Sequence, residues 1–556
     1  MALNIPGLVV VVLFYLLVLG TGIWASKKSK RVERANQGNR SEVMLLGGRS
    51  INLMVGVFTM TATWVGGGFI LGVAEAVYSP KMGLIWALMP VQYSVSFIIG
   101  GLFFAKPMRD KKYVTMMDPF QIKYGKILSG ALALPALLTD VLWVSCTLVG
   151  LGSTMSVILE IPYFYAIWIS SAVAILYTLL GGLYSVAYTD VIQLSLAFIG
   201  LWICIPFLLL NPTSTNIAHT AFNHMYQDPW IGTLELAQAW RWTDDFLMLG
   251  LGSVGFQCFH QRTLSAASSA KAQFTCFAAA LVIAILGIPS VLVGAVAAST
   301  DWNRTMYGSP SPYERGDVFL ILPLTLQNLT PSYISVIGIG AVAAAVMSST
   351  DSGLLSATSV FSTNIYKNIL RKQASDREME WVIRVSVVVV GLVGTALTFQ
   401  TKSVLMLWIL GADVAYTLIF PHLASILFFK VSNGYGASVG FIVGVTVRIL
   451  LGEESVGLPA IFPLPGCMVE DGVCSQRLPV RTISMLTTFM TILFFSALAS
   501  FMFSHDLLPE RWDVFKVKCD VSTSPVDPVT QSLKEDAGCN SVSDENEHGF
   551  ALQPVL

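Results

Sequence analysis

Apolar runs of about twenty residues recur about thirteen times along this chain, each long enough to cross the hydrocarbon core of a bilayer as a helix. That repetition leaves few architectures open. Backbone N–H and C=O groups in lipid must be satisfied within the spanning structure itself, which restricts the chain to helices or a closed barrel. Runs of this length are helical, so the expected fold is an all-α polytopic membrane protein. Charged residues make up 12% of the 556 residues and hydrophobic ones 54%, where a soluble domain carries about twice that charge fraction. No sizeable soluble domain is expected, and a net charge of -1 argues against a nucleic-acid partner. The partner that composition requires is the lipid bilayer.

Basic residues orient the spans. The first run, Leu8 to Ala25, has no charged segment before it and is followed at once by Lys27, Lys28, Lys30, Arg31 and Arg34. This pattern predicts a retained helix with its N-terminus outside, because cations stay in the cytoplasm. The loops holding Lys106, Arg109, Lys111 and Lys112, then Gln261-Arg262 with Lys271, then Lys367, Arg371 and Lys372, all fall inside on the same count. Residues 1–503 form the membrane domain, and the polar stretch 504–556 is a cytoplasmic tail. The sequon Asn303-Arg304-Thr305 falls in an outside loop, where glycosylation of Asn303 is expected; Asn328-Leu329-Thr330 is disfavoured by the adjacent Pro331. Cys467 and Cys474 share one loop, and if that loop is extracellular a disulfide is expected there.

Two spans do not read as continuous helices. Thr59-Met60-Thr61-Ala62-Thr63-Trp64-Val65-Gly66-Gly67-Gly68 sets hydroxyls and three glycines inside an apolar segment, and Leu247 to Gln257 repeats the theme five helices later. Broken helices survive in a membrane where they line a cavity, and paired breaks in two halves point to an inverted-repeat transporter with its substrate near the midplane. Between the breaks, a Gly181-Gly182 turn precedes Asp190, which is expected near a helix start. Ala343 to Ser352 is expected to interrupt a long helix of small residues and carries Ser348, Ser349 and Asp351; an intramembrane acid marks function by default. Hydroxyls there, the Ala345 carbonyl and carbonyls freed at the first break suit a hard cation such as Na⁺. Trp64, Tyr93, Trp143, Phe256, Trp408 and Tyr416 all fall within spans, and ring faces attract quaternary ammonium groups. A channel would need a continuous polar path, and an enzyme would need a nucleophile with a base; neither pattern is present in the sequence.

The Gly181-Gly182-Leu183 to Gln193 run, the Ser348-Ser349 pair and the span layout resemble the sodium/solute symporter family. Thr59 to Gly68, Ala74-Glu75-Ala76-Val77-Tyr78, Gly101 to Arg109, Asp118-Pro119-Phe120-Gln121 and Ser299 to Asn303 are similar to its choline-transporting members, over nearly the whole chain to about Phe515. The resemblance implies a LeuT-like 5+5 inverted repeat, with core repeats at about 48–210 and 243–430, an extra N-terminal helix and two C-terminal helices. It implies Na⁺-coupled, chloride-dependent uptake of choline at the plasma membrane for acetylcholine synthesis, with presynaptic terminals and synaptic vesicles as locations and homo-oligomers left open. Carried over by position, Na⁺ falls on the carbonyls of Val57, Met60 and Ala345 and the hydroxyls of Ser348 and Ser349. Choline falls among Trp64, Tyr93, Trp143, Phe256 and Trp408, and Asp351, Asp190 and Glu75 are coupling candidates. The chain departs from those members at Phe256, where they carry Trp, and at Leu71 and His260. Another small amine or organic solute, or a solute sensor that does not transport, is the alternative.

Overall fold

The computed structural model describes residues 5–35, 40–401, 403–453, 457–465, 467–470 and 473–518. Helix α1 (Ile5–Ala35) leads and lies against the bundle along one side, with Leu13, Leu16 and Trp24 exposed on the other. Exposed apolar side chains of this kind recur on most of the long helices, as a lipid environment requires. The first expected break is real. Helix α2 (Leu53–Trp64), capped by the Asn52 side chain accepting from Val55 N at 2.9 Å, gives way at Val65-Gly66 to α3 (Gly67–Tyr78), bent by 50°. Next come α4 (Met89–Ile99), extended through a π-turn at Gly100–Phe104, and α5 (Asp118–Leu159). Helix α6 (Tyr163–Leu209) is folded at Gly182, whose φ of 62° only glycine adopts readily.

The second break is also as expected. Helix α7 (Ala239–Gly252) runs into a tight turn at Ser253–Gly255 and an extended Phe256, and α8 (Gln257–Leu264) resumes beyond it. Then follow α9 (Ser269–Ala298), the short α10 (Ile321–Leu329), α11 (Ser332–Val360) and α12 (Asp376–Leu397). The last group comprises α13 (Val404–Val414), α14 (Phe420–Phe428), α15 (Gly434–Leu450) and α16 (Val480–Ser504). Helix α11 is not interrupted at Ser348–Asp351, contrary to the sequence expectation; every residue from Ala341 to Val360 is helical and buried. Packing by α2, α5, α6 and α12 keeps it continuous, and Ser348 and Ser349 bond to those neighbours instead of to its own backbone.

Nine helices among the described residues are long and apolar enough to cross a membrane, or ten with α2 and α3 taken as one bent span. Tyr163–Leu179 and Gly434–Leu450 are apolar but shorter than that criterion. Asn303 is exposed in the loop between α9 and α10, whereas Asn328 turns back to donate to Leu324 O at 2.9 Å. Strand β1 (Met468–Glu470) pairs antiparallel with β2 (Val473–Ser475), setting Cys474 opposite Val469. Cys467 is disulfide-bonded; the Cys474 side chain and the tail beyond 518 lie outside the described residues.

The two C-terminal helices are joined by small residues. Gly436, Gly440 and Gly444 recur every fourth residue on α15, and a Cβ at each would lie 2.0, 2.3 and 2.4 Å from atoms of Ser496, Ile492 and Thr488 on α16. Such spacing lets two backbones approach closely where lipid offers no hydrophobic drive for helix association. Gly440→Val is expected to destabilise the protein by about 1–3 kcal/mol through overpacking. A lowered thermal midpoint of the detergent-purified variant is the check, and an unchanged midpoint would show that these helices do not rely on the contact.

Candidate functional site

The break between α2 and α3 exists because two features coincide at Gly66. Its backbone is extended, and a Cβ there would lie 2.1 Å from Ser349 Oγ, so no other residue fits without moving α11. With that room, Ser349 Oγ sits 2.8 Å from Thr63 O and 3.2 Å from Ala62 O, donating to carbonyls that the end of α2 leaves without helical partners. The resemblance had named the carbonyls of Val57 and Met60, about one turn earlier on the same helix, together with Ala345, one turn before Ser348 on α11.

Trp64 is the last residue of α2, and its indole enters a ring of aromatics. Its centroid lies 4.8 Å from Tyr93, 5.1 Å from Trp143, 5.6 Å from Phe256 and 5.7 Å from Phe97, all edge-on. Trp143 and Phe256 are 5.4 Å apart, and Trp408 donates its Nε1–H to the Tyr93 hydroxyl at 2.7 Å. All five rings expected from the sequence therefore meet, drawn from α2, α4, α5, the second break and α13. The space among Trp64, Tyr93, Trp143 and Trp408, bounded also by Gly66, Gly67, Gly68, Cys146 and Thr147, leaves no room for a water molecule. Nε1 of Trp64 and of Trp143 are buried without a hydrogen-bond partner. Tyr416 stands apart, its hydroxyl 3.2 Å from Thr482 Oγ1.

Below the cage lies a second, ionic cluster. Asp190 is its centre: Oδ1 accepts from Ser348 Oγ at 2.5 Å, Oδ2 accepts from Thr59 Oγ1, and Arg262 Nη2 stands 4.0 Å from Oδ2. Asp190 is eight residues past the fold at Gly182 and well inside its helix, so these side chains hold it and not a helix dipole. Arg262 Nη2 donates to Ser352 Oγ at 2.5 Å, and Ser352 Oγ lies 3.1 Å from Thr63 Oγ1. Asp351 Oδ1 accepts from Thr178 Oγ1 at 2.8 Å, while Oδ2 is buried and unpartnered. Glu75 is separate, buried on α3 toward Ser403, whose Oγ is 3.5 Å from Oε1.

Arg262 was missed by sequence reasoning. The charge pattern places it in a cytoplasmic loop, yet it is 2% exposed on α8, inside the bundle. One signal was available: the other basic loops carry clustered cations, whereas Arg262 has no basic neighbour until Lys271. Thr178 has no signal beyond being a hydroxyl residue in an apolar run, whereas Thr59 and Ser352 lie within the two stretches that the sequence singles out.

A broken-helix pair, an aromatic cage and a buried oxygen-rich cluster are the parts of an ion-coupled carrier. The sodium:solute symporter family model matches residues 44–444. This chain belongs to the sodium:solute symporter family. It is similar to the high affinity choline transporter 1 of Homo sapiens, 48% identical over 516 residues, covering 93% of this chain and 89% of that one. The Torpedo marmorata protein of that name is 48% identical over 518 residues, covering 92% and 89%. Among solved structures, a Na⁺-coupled sialic acid symporter in a substrate-bound outward-open state superimposes with a TM-score of 0.68 at 18% identity, over 88% of this chain and 98% of that chain. The likeness gives the fold of this symporter, the LeuT-like arrangement of helices around two broken spans.

The ionic cluster predicts its own energetics. Arg262→Ala leaves Asp190 buried without its countercharge and is expected to cost about 3 kcal/mol or more, whereas adding Asp190→Asn should recover part of that loss. Thermal midpoints of the three purified proteins check the cycle; a double variant no more stable than Arg262→Ala would show that Arg262 acts by packing.

Proposed function

We propose that this symporter imports choline across the plasma membrane, driven by Na⁺ and dependent on chloride, through thirteen spans with its N-terminus outside and its C-terminus in the cytoplasm. The observation that carries this reading is the ring of Trp64, Tyr93, Trp143, Phe256 and Trp408 at the broken helix. A quaternary ammonium group offers no hydrogen-bond donor, so ring faces and exclusion of water are what can recognise it. The names of the similar proteins support the same substrate. Cargo choline parts the rings, since the space between them is too small for a water molecule. Supply of choline for acetylcholine synthesis, and residence at presynaptic and vesicle membranes, belong to the same reading.

Na⁺ is the co-substrate, and the donor set around the first break suits it. The Ala62 and Thr63 carbonyls and the Ser348, Ser349 and Thr59 hydroxyls are hard oxygens, all buried with the Asp190 carboxylate. Arg262 is the countercharge of Asp190, and the Asp351 carboxyl nearby adds a further oxygen ligand for a monovalent cation. Held between α2 and α11, that cation fixes the end of α2 and hence the orientation of Trp64, so occupancy of one site orders the other. Voltage assists, because each positive charge moved inward gains about 2.3 kcal/mol per 100 mV.

Ser348→Ala with Ser349→Ala is expected to abolish Na⁺-dependent uptake of radiolabelled choline at normal surface expression. A retained Na⁺ dependence would remove both residues from the ion site. Phe256→Trp should tighten choline binding by about 0.5–1 kcal/mol, a few-fold in Kd, because indole is the stronger cation partner. Trp64→Ala and Trp143→Ala should lose more than that gain, and the neutral tert-butyl isostere of choline should compete poorly in the same binding assay. Equal competition by the isostere, or efficient Na⁺-driven uptake of another solute in an amine panel, would favour a symporter of a different substrate.

A further inference from the structure

Asp140 belongs to neither site described above. It lies on α5 three residues before Trp143, on the same face and one turn nearer the Asp118 end of the helix. Helix α11 passes antiparallel. A Cβ on Gly353 would lie 2.8 Å from Trp143 Cδ1, and one turn further Ser356 Oγ donates to Asp140 Oδ2 at 2.9 Å. The other carboxylate oxygen, Oδ1, is buried with no hydrogen-bond partner. Buried carboxylates are ordinarily satisfied at both oxygens; Asp351, Asp413 and Glu75 also keep one open, and in Asp140 the open oxygen belongs to a residue one turn from Trp143 of the cage, which points to a ligand.

Further polar groups continue from Asp140 away from the cage. Gln257 Nε2 donates to Ser359 Oγ at 3.1 Å, and Gln257 Oε1 accepts from Met116 N at 2.8 Å. Thr115 Oγ1 lies 2.8 Å from both Asp118 Oδ1 and Asn364 Oδ1, and Asn364 Nδ2 donates to Asp118 Oδ1 at 3.2 Å. Ser356, Ser359, Gln257, Thr115 and Asn364 are all buried. The series spans α5, α8, α11, the π-helical turns Phe361–Leu370 that follow α11 and the segment before α5, and it ends beside the loop that carries Lys111 and Lys112.

We infer that Asp140 and Trp143 form a second binding position, where an organic monocation pauses after leaving the cage, and that the polar series beyond is the closed lining of its route to the cytoplasm. The inference rests on the choline-import reading. One carboxylate, one hydroxyl and the indole of Trp143 supply too few oxygens for Na⁺, which prefers a shell of hard donors. They suit a quaternary ammonium group, which needs one countercharge and an aromatic surface. Asp140 is a positioning group for release, with no part in the first capture.

The test uses the full-length protein in proteoliposomes with tritiated choline. Asp140→Asn is expected to leave the equilibrium Kd within about twofold of wild type and to lower the uptake rate on the order of tenfold, the split that separates binding from translocation. Asp140→Glu should restore part of the rate. An unchanged uptake rate in Asp140→Asn, or loss of binding in parallel with uptake, would overturn the second position while leaving the import reading in place. Wild-type protein that accumulates no choline overturns both. Should Asp140→Asn fail to fold, Ser356→Ala keeps the charge and removes its partner; the position then requires a changed uptake rate at unchanged Kd, and an unchanged rate overturns it.

Discussion

The close approach of Gly66 to Ser349 is the contact on which the rest of the molecule depends. Because position 66 has no side chain, α11 can lie against the unwound backbone, and Ser349 can satisfy the carbonyls that end α2. A broken helix in lipid exposes backbone groups at a cost of several kcal/mol each unless something takes them up. Here the same hydroxyl that lowers this cost fixes where Trp64 points. The aromatic site and the polar site are therefore one unit, since the residue that closes the cage is the last residue of the helix that Ser349 holds.

Burial makes the ionic cluster specific. In a low-dielectric interior an unpaired carboxylate is far more costly than in water, so Asp190 draws two hydroxyl donors and a countercharge from three other helices: Thr59 on α2, Ser348 on α11 and Arg262 on α8. This places both broken helices on a single side chain. Movement of α2 or α8 relative to α11 must disturb Asp190, which gives a physical link between the two halves of the chain without any long-range pathway.

On the other side of the bundle, Arg448 and Arg481 join the C-terminal helices to the core. Arg448 meets Asp413 of α13 at 2.6 Å, and Arg481 meets Asp245 of α7 at 2.5 Å. With the glycine seam between α15 and α16, the first pair ties these helices to α13 and the second braces α7 before its break. The two added helices thus contact the working core through charge as well as packing.

By itself the sequence determined that the chain is a helical membrane protein with two broken spans, because span length, charge scarcity and glycine clusters are local properties. It also held six rings within spans and the Ser348-Ser349 pair as candidates, and the family resemblance narrowed the rings to five. The tertiary structure alone decided which polar groups face one another. Arg262 reads as a loop cation until α8 is folded inward beside Asp190, and Asp140 reads as one acid in a 42-residue helix until Ser356 is brought against it. The straightness of α11 was likewise invisible, because a run of serines favours a break in isolation and becomes continuous only when neighbouring helices accept its hydroxyls. Partners far apart in the chain are set by helix packing, and no spacing rule along one segment contains that information.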